Sequence, residues 1–160
     1  MSKTSSTSSS SALLAFENVS MTFDDGTKAL DNVSFGINAG EFVTVVGPSG
    51  CGKSTLLRIA SNLEANTGGN CSIDRDSIGY VFQDATLMPW RTVVRNVELI
   101  AELHKLPKAE RHQLAAEAIE LVGLSGFEDK YPRQLSGGMR MRASLARSLV
   151  MKPKVFLFDE

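Results

Sequence analysis

Cysteine is scarce in this chain, and the two that occur, Cys51 and Cys71, stand in a glycine-rich loop and in a polar connection. A disulfide framework is thereby excluded, zinc-ligand spacing is absent, and a reducing compartment is the plain expectation. Histidine is equally sparse, and His104 and His112 lack ligand spacing. No charge of one sign dominates, the formal net charge being −1. With no basic stripe or aromatic platform either, a nucleic-acid partner is not expected. No apolar run approaches the roughly 20 residues that cross a bilayer, so a membrane role would run through a partner. Residues 1–11 are almost wholly Ser and Thr with a single Lys3; they can bury nothing and are expected to be disordered. The apolar run Leu13-Leu14-Ala15-Phe16 behind them is too short for the core of a targeting peptide. The 160 residues suffice for one domain with a real core, not for two comfortable ones.

What is present centres on Gly47-Pro48-Ser49-Gly50-Cys51-Gly52-Lys53-Ser54-Thr55. It follows the apolar run Phe42-Val43-Thr44-Val45-Val46, read as a strand, and precedes a helical pattern over 53–63 with Leu56, Leu57 and Ala60 on its buried side. The spacing is that of a phosphate-binding loop. The glycines let the backbone approach an anion, and the helix start adds N–H groups and about half a positive charge. Lys53 can reach β- and γ-phosphates, and the Ser54 hydroxyl can ligate a Mg²⁺ between them. Loss of Lys53 should cost about 1.5–3 kcal/mol of binding.

The segment before it is read as a strand over 14–23, an Asp24-Asp25-Gly26 turn and a second strand over 29–37. Phe23, at the turn end, suits either core packing or stacking on a base. Residues 65–70 break the helix. A strand over 77–82 then ends on Gln83-Asp84, where Gln83 is either a solvated loop residue or, at the ligand-binding edge of an α/β sheet, a group that reaches metal and water. Leu87-Met88-Pro89-Trp90 suits packing or docking equally. One helical stripe joins Val94, Val97, Ile100 and Ala101. Another opens at Pro107, lines up Leu114, Ala118, Leu121 and Val122, and closes at Gly123. The charged residues over 92–126 read as solvated faces.

Ser136 is the expected N-cap of a helix over about 137–151, with Leu145, Ala146, Leu149 and Val150 inward. Gly137 and Gly138 leave that helix start bare, a second place for an anion. The last strand, Val155-Phe156-Leu157-Phe158, ends on Asp159 and Glu160. Both carboxylates are expected at the ligand-binding edge, opposite the Mg²⁺ that Ser54 would hold. There Asp159 suits a water-mediated metal ligand and Glu160 suits polarising the water that attacks the γ-phosphate.

In this order the residues resemble an ATP-binding-cassette ATPase. Residues 47–55 resemble its Walker A loop, Gln83 the Q-loop glutamine, and Leu135-Ser136-Gly137-Gly138-Met139 the signature motif. Phe158-Asp159-Glu160 resembles the end of Walker B, and Phe23 matches the aromatic that stacks on adenine. Phe82-Gln83-Asp84, Leu87-Met88-Pro89-Trp90 and Gly126-Phe127-Glu128-Asp129-Lys130-Tyr131-Pro132 are similar to importers of nitrate, sulfonate, taurine and related small anions.

The resemblance implies an α/β P-loop NTPase domain over 12–160, with an N-terminal antiparallel β subdomain and a helical insert over about 84–145. It implies ATP and Mg²⁺ as ligands and a head-to-tail homodimer. Lys53, Ser54, Gln83, Asp159 and Glu160 would act from one subunit, and Ser136, Gly137 and Gly138 on the γ-phosphate held by the other. It further implies a membrane permease as partner, a solute-binding protein indirectly, and a cytoplasmic place on the inner face of the plasma membrane.

Three features depart from the pattern. Met141 stands where the family often has Gln, and the link from Leu63 to Gln83 is short, so that the small sheet there is expected to be trimmed. The chain also stops at Glu160, before the family's D-loop, switch histidine and remaining strands. A strand expected between those of Walker A and Walker B is thus missing, and this form is expected to turn over poorly or not at all. The rival readings are a nucleotide-binding fragment without turnover and a non-transport cassette ATPase of repair or translation.

Overall fold

A computed structural model describes residues 12–74 and 77–159. It divides into two compact units, residues 1–75 and 76–160; the serine-rich tail over 1–11 and Glu160 lie outside the described residues.

The first unit is a three-stranded antiparallel sheet in the order β2-β1-β3 with one helix. Strands β1 (Ala12–Thr22) and β2 (Lys28–Asn38) form the expected hairpin. Its turn is closed by Phe23 N–H donating to Thr27 O at 2.9 Å and by Thr27 N–H donating to Asp25 Oδ1 at 2.8 Å. Hydrogen bonds from the Thr27 backbone N–H and side chain hold the Asp25 carboxyl below its ordinary pKa. Leu14, Phe16, Val19, Met21 and Leu30 are buried, and the Phe16 and Phe35 rings lie 4.8 Å apart.

The third strand, β3 (Gly68–Ile73), corrects the expectation of a broken, polar connection. Its own residues carry little strand preference, and pairing with β1 supplies the structure, from Leu14 opposite Ile73 to Ser20 opposite Gly68. The register shifts between Glu17 and Ser20. There Gly69 takes φ 76° against the Asn18 carbonyl, where a Cβ would collide.

Helix α1 (Lys53–Ala60) buries Leu56, Ile59 and Ala60. Ile59 holds an inward place expected of Leu57, which is only half-buried. The helix is shorter than the expected 53–63. Asn62, at φ 58°, turns the chain, and its N–H donates to Ile59 O while Leu63 N–H donates to Arg58 O.

The strand expected over 42–46 is not formed. A strand exists by pairing, and no ladder partner for this stretch occurs among the described residues. Its side chains stand in the open, Phe42 91% and Val46 84% exposed.

The second unit holds the parallel pair β4 (Ile78–Val81) and β5 (Val155–Phe158), in register from Ile78–Val155 to Val81–Phe158. Between them in sequence come α2 (Val93–Val97), α3 (Leu99–Leu103), α4 (Lys108–Leu121) and α5 (Gly137–Leu149). Val93, Val97, Ala101, Ala115, Ile119, Leu124, Ala143, Ala146 and Val150 make their common core. Helix α4 ends as expected, Gly123 N–H donating to Glu120 O and Leu124 N–H to Ile119 O. Leu121, expected inward, is 73% exposed; Ala115 and Ile119 occupy the buried face instead.

Polar residues are inside as well, Asn96 in α2 and Glu98 at its end, and Ser144 and Arg147 from α5. Asn96 is fully buried and holds the 88–92 turn, accepting from Met88 N–H at 2.7 Å and donating to the carbonyls of Met88, Arg91 and Thr92. Glu98 corrects the reading of this region's charges as solvated faces. It is 2% exposed, with His112 Nδ1 at 2.8 Å from one carboxylate oxygen and Arg95 Nη1 at 3.2 Å from the other. Within Leu87-Met88-Pro89-Trp90, Leu87 packs against the helical core, as the packing reading has it, while Trp90 is 71% exposed.

Candidate functional site

In the first unit the residues 47–55 form one continuous loop and helix start. Gly52 is the N-cap of α1 at φ 94°, ψ 8°, with no side chain capping the helix. A Cβ there would strike the Ala29 carbonyl, so hairpin β1–β2 and the loop meet through a position that only glycine fills. Lys53 folds over the loop, donating to Gly47 O at 3.0 Å and Pro48 O at 2.9 Å, with Cys51 Sγ at 3.9 Å. The ammonium is thus held above the glycines by carbonyls that an anion's oxygens can replace. An uncapped helix start, a lysine on the same turn and the Ser54 hydroxyl beside it fit a phosphate chain with its Mg²⁺. Ser49, Gly50 and Cys51 are exposed, as is Ser54, while Lys53 and Thr55 are half-buried. Phe23 stands 37% exposed just after β1, at the hairpin turn.

In the second unit β4 leads out through Val81 and Phe82 to Gln83, which is exposed. The chain after it is tied to α5. Arg147 Nη1 donates to Thr86 O at 3.0 Å, and Nη2 donates to Thr86 Oγ1 at 2.9 Å and Ala85 O at 3.4 Å. Burial lowers the Arg147 pKa. Thr86 sits at φ 44°, a strained place for a β-branched residue and one that costs of order 1–3 kcal/mol. Before Gln83, the Ser148 hydroxyl donates to Tyr80 O at 2.7 Å.

The inward face of α5 was expected to be Leu145, Ala146, Leu149 and Val150. It is instead Ala143, Ser144, Ala146, Arg147 and Val150, with Leu145 and Leu149 half-buried. Arg147 is the functional candidate that apolar counting misses. The signal for it is the spacing 143, 146, 147, 150 on one helix face, with small residues leaving room for a guanidinium.

The loop opening α5 is built as its sequence suggests. Ser136 Oγ accepts from Met139 N–H at 3.2 Å. Ser136, Gly137 and Gly138 are exposed, and a Cβ at Gly138 would meet open space. Behind them Leu135 is 5% exposed in the helical core. A 3₁₀ turn over Pro132–Gln134 holds the approach, Tyr131 N–H donating to Gln134 Oε1 at 2.8 Å.

Asp159, at the end of β5, is half-buried. Its N–H donates to Val81 O at 3.1 Å and its Oδ2 accepts from Tyr80 Oη at 3.2 Å. Gln83 and Asp159 therefore leave the same end of the β4–β5 pair. The expected water-polarising residue, Glu160, lies outside the described residues.

Comparison with known proteins returns one family. The model of the ABC transporter family matches residues 30–160. An uncharacterized ABC transporter ATP-binding protein of Methanocaldococcus jannaschii is 47% identical over 157 residues, covering 92% of this chain and 59% of the relative. The aliphatic sulfonates import ATP-binding protein of Agrobacterium fabrum is 44% identical over 143 residues, covering 85% and 53%. Other relatives are named for import of nitrate (Synechocystis, 45%), Fe(3+) ions (Pasteurella multocida, 41%) and sn-glycerol-3-phosphate (Bordetella avium, 41%). A solved dimeric ATP-binding cassette, in a post-hydrolysis state with ADP and Pi, superposes with a TM-score of 0.82 at 36% identity, covering 91% of this chain and 72% of that one. The chain spans about half the length of the curated relatives it matches.

Proposed function

The chain belongs to the ABC transporter family, and from that premise we propose that it is the ATP-binding part of an importer that hydrolyses Mg-ATP to drive uptake of a small solute. The observation that carries the reading is the loop over 47–52, which feeds an uncapped helix start with Lys53 held over its carbonyls.

In this reading Lys53 exchanges its carbonyl partners for β- and γ-phosphate oxygens, and the backbone N–H groups of residues 49–55 take the remaining phosphate charge. Phe23 stacks on the base. Ser54, Gln83 and Asp159 are the residues that would hold Mg²⁺, directly or through water, and the ion would supply neutralisation of the charge that develops on the phosphates. Glu160 polarises the water that attacks the γ-phosphate. Ser136, Gly137 and Gly138 contact the γ-phosphate bound to a second copy paired head to tail. Trp90 and its neighbours meet a membrane permease, which places the chain on the inner face of the plasma membrane. No helix among the described residues is long and apolar enough to cross a membrane itself.

The solute is of the nitrate, sulfonate or taurine kind, a reading supported by the sulfonate and nitrate relatives at 44% and 45% identity. A second reading, a nucleotide-binding module without turnover, is favoured by the unladdered, exposed stretch over 42–46 just ahead of the loop.

Steady-state phosphate release from the purified chain, beside its Glu160→Gln variant, separates the two. Hydrolysis predicts Mg-ATP-dependent release that the variant loses. Equal background rates in both leave only binding. Co-purification with a membrane permease tests the transport assignment, and its failure would favour a non-transport cassette.

A further inference from the structure

Gln83 is bracketed by one helix. Three residues before it, Tyr80 O accepts from Ser148 Oγ; two and three residues after it, the carbonyls of Ala85 and Thr86 accept from Arg147. Arg147 and Ser148 are consecutive on α5, so both flanks of the loop are fastened to the same turn. The second fastening falls on the one residue of the loop in strained backbone, Thr86 at φ 44°. A β-branched residue leaves that region unless it is held, and the guanidinium fork holds it at both carbonyl and hydroxyl.

Lysine could not do the same, since a single ammonium on a flexible stem lacks the planar fork that meets two oxygens of one residue at once. With 8% exposure, Arg147 has these oxygens for partners in place of bulk water.

We infer that Arg147 is a positioning residue for Gln83, clamping the backbone over 85–86 so that the Gln83 amide is presented in one place. This rests on the reading of Gln83 as a metal-side group of a nucleotide site. The clamp itself is a property of the nucleotide-free chain and can be measured there.

The test uses the full 160-residue chain with Arg147→Lys, which keeps the charge and removes the fork. It also uses Thr86→Val, which removes the hydroxyl acceptor alone, and Gln83→Ala. Amide hydrogen exchange without nucleotide is expected to accelerate about tenfold or more over residues 84–88 in Arg147→Lys, with β4 and α4 keeping their protection. The extra affinity that Mg²⁺ confers on a non-hydrolysable ATP analogue is expected to fall to the level of Gln83→Ala. The Arg147→Lys/Gln83→Ala double variant should be no weaker than Gln83→Ala alone.

Unchanged loop exchange overturns the inference, as does additive loss in the double variant, because a structural role would add to the loss of Gln83. If Arg147→Lys loosens the whole unit, Thr86→Val is read by the same criteria. Lys53→Ala is the separate control: analogue binding that is absent in the parent, or indifferent to Lys53, refutes the nucleotide reading, while exchange over 84–88 still decides the clamp.

Discussion

Two glycine-rich loops open helices in this chain, and they are held in opposite ways. The loop over 47–52 touches the hairpin at Gly52 and is closed by the lysine that follows it, which bonds to its carbonyls, while the stretch before it lies exposed and unladdered. The loop over 136–138 rests on a core, with Leu135 buried behind it, a capping serine at its start and a 3₁₀ turn leading in. Similar composition therefore supports two designs. One loop is shaped by local backbone chemistry and closes on its cation. The other is a fixed platform whose exposed N–H groups are placed by the packing of α5.

The contrast can be broken by substitution. Leu135→Ala empties a core site, and about 2–5 kcal/mol should be lost from the second unit by denaturant titration; a loss below about 1 kcal/mol would mean that the platform is not core-supported. Ser136→Ala removes a cap and should cost about 1 kcal/mol while leaving nucleotide affinity of the single chain unchanged. A fall in that affinity would merge the two loops into one site.

A smaller effect depends on pH. Hydrogen bonding and charge from Arg91, 2.7 Å away, depress the Glu102 carboxyl below its ordinary value of 4.5. A depressed folded value means that the contribution is complete above the unfolded value and is lost as pH falls through the folded one. Acid titration of stability below about pH 4.5 should therefore show a component that Glu102→Gln lacks, and identical curves would deny the pair any role. Smallest of all, Phe42→Ser should change stability by less than about 0.5 kcal/mol, as for other exposed sites. A cost of several kcal/mol would show that 42–46 is a buried strand after all.

These differences mark what could be read from the residues. The β1–β2 hairpin, the loop over 47–52, the closure at Gly123 and the Ser136 cap are written in local chemistry, a turn aspartate or glycine or a capping hydroxyl at the required place, and all are found. What went astray depends on partners distant in sequence. Apolar residues over 42–46 announce a strand but not a neighbour to pair with. Gly68–Ile73 announces no strand yet gains one from β1. Glu98 and Arg147 are charged yet buried, because each meets particular partners, His112 and Arg95 for the one and the 85–86 carbonyls with the Thr86 hydroxyl for the other, that no periodicity displays. Of the candidate site, the residue types and order were legible, whereas the clamp on the loop after Gln83 was not.

The account's central claim is that phosphate is held at Lys53. Equilibrium titration of the 160-residue chain with a fluorescent Mg-ATP analogue, beside Lys53→Ala, tests it most directly. Saturable binding that weakens about 10- to 150-fold in the variant is predicted. Equal affinity in the two chains, or no saturable binding in the parent, would contradict it.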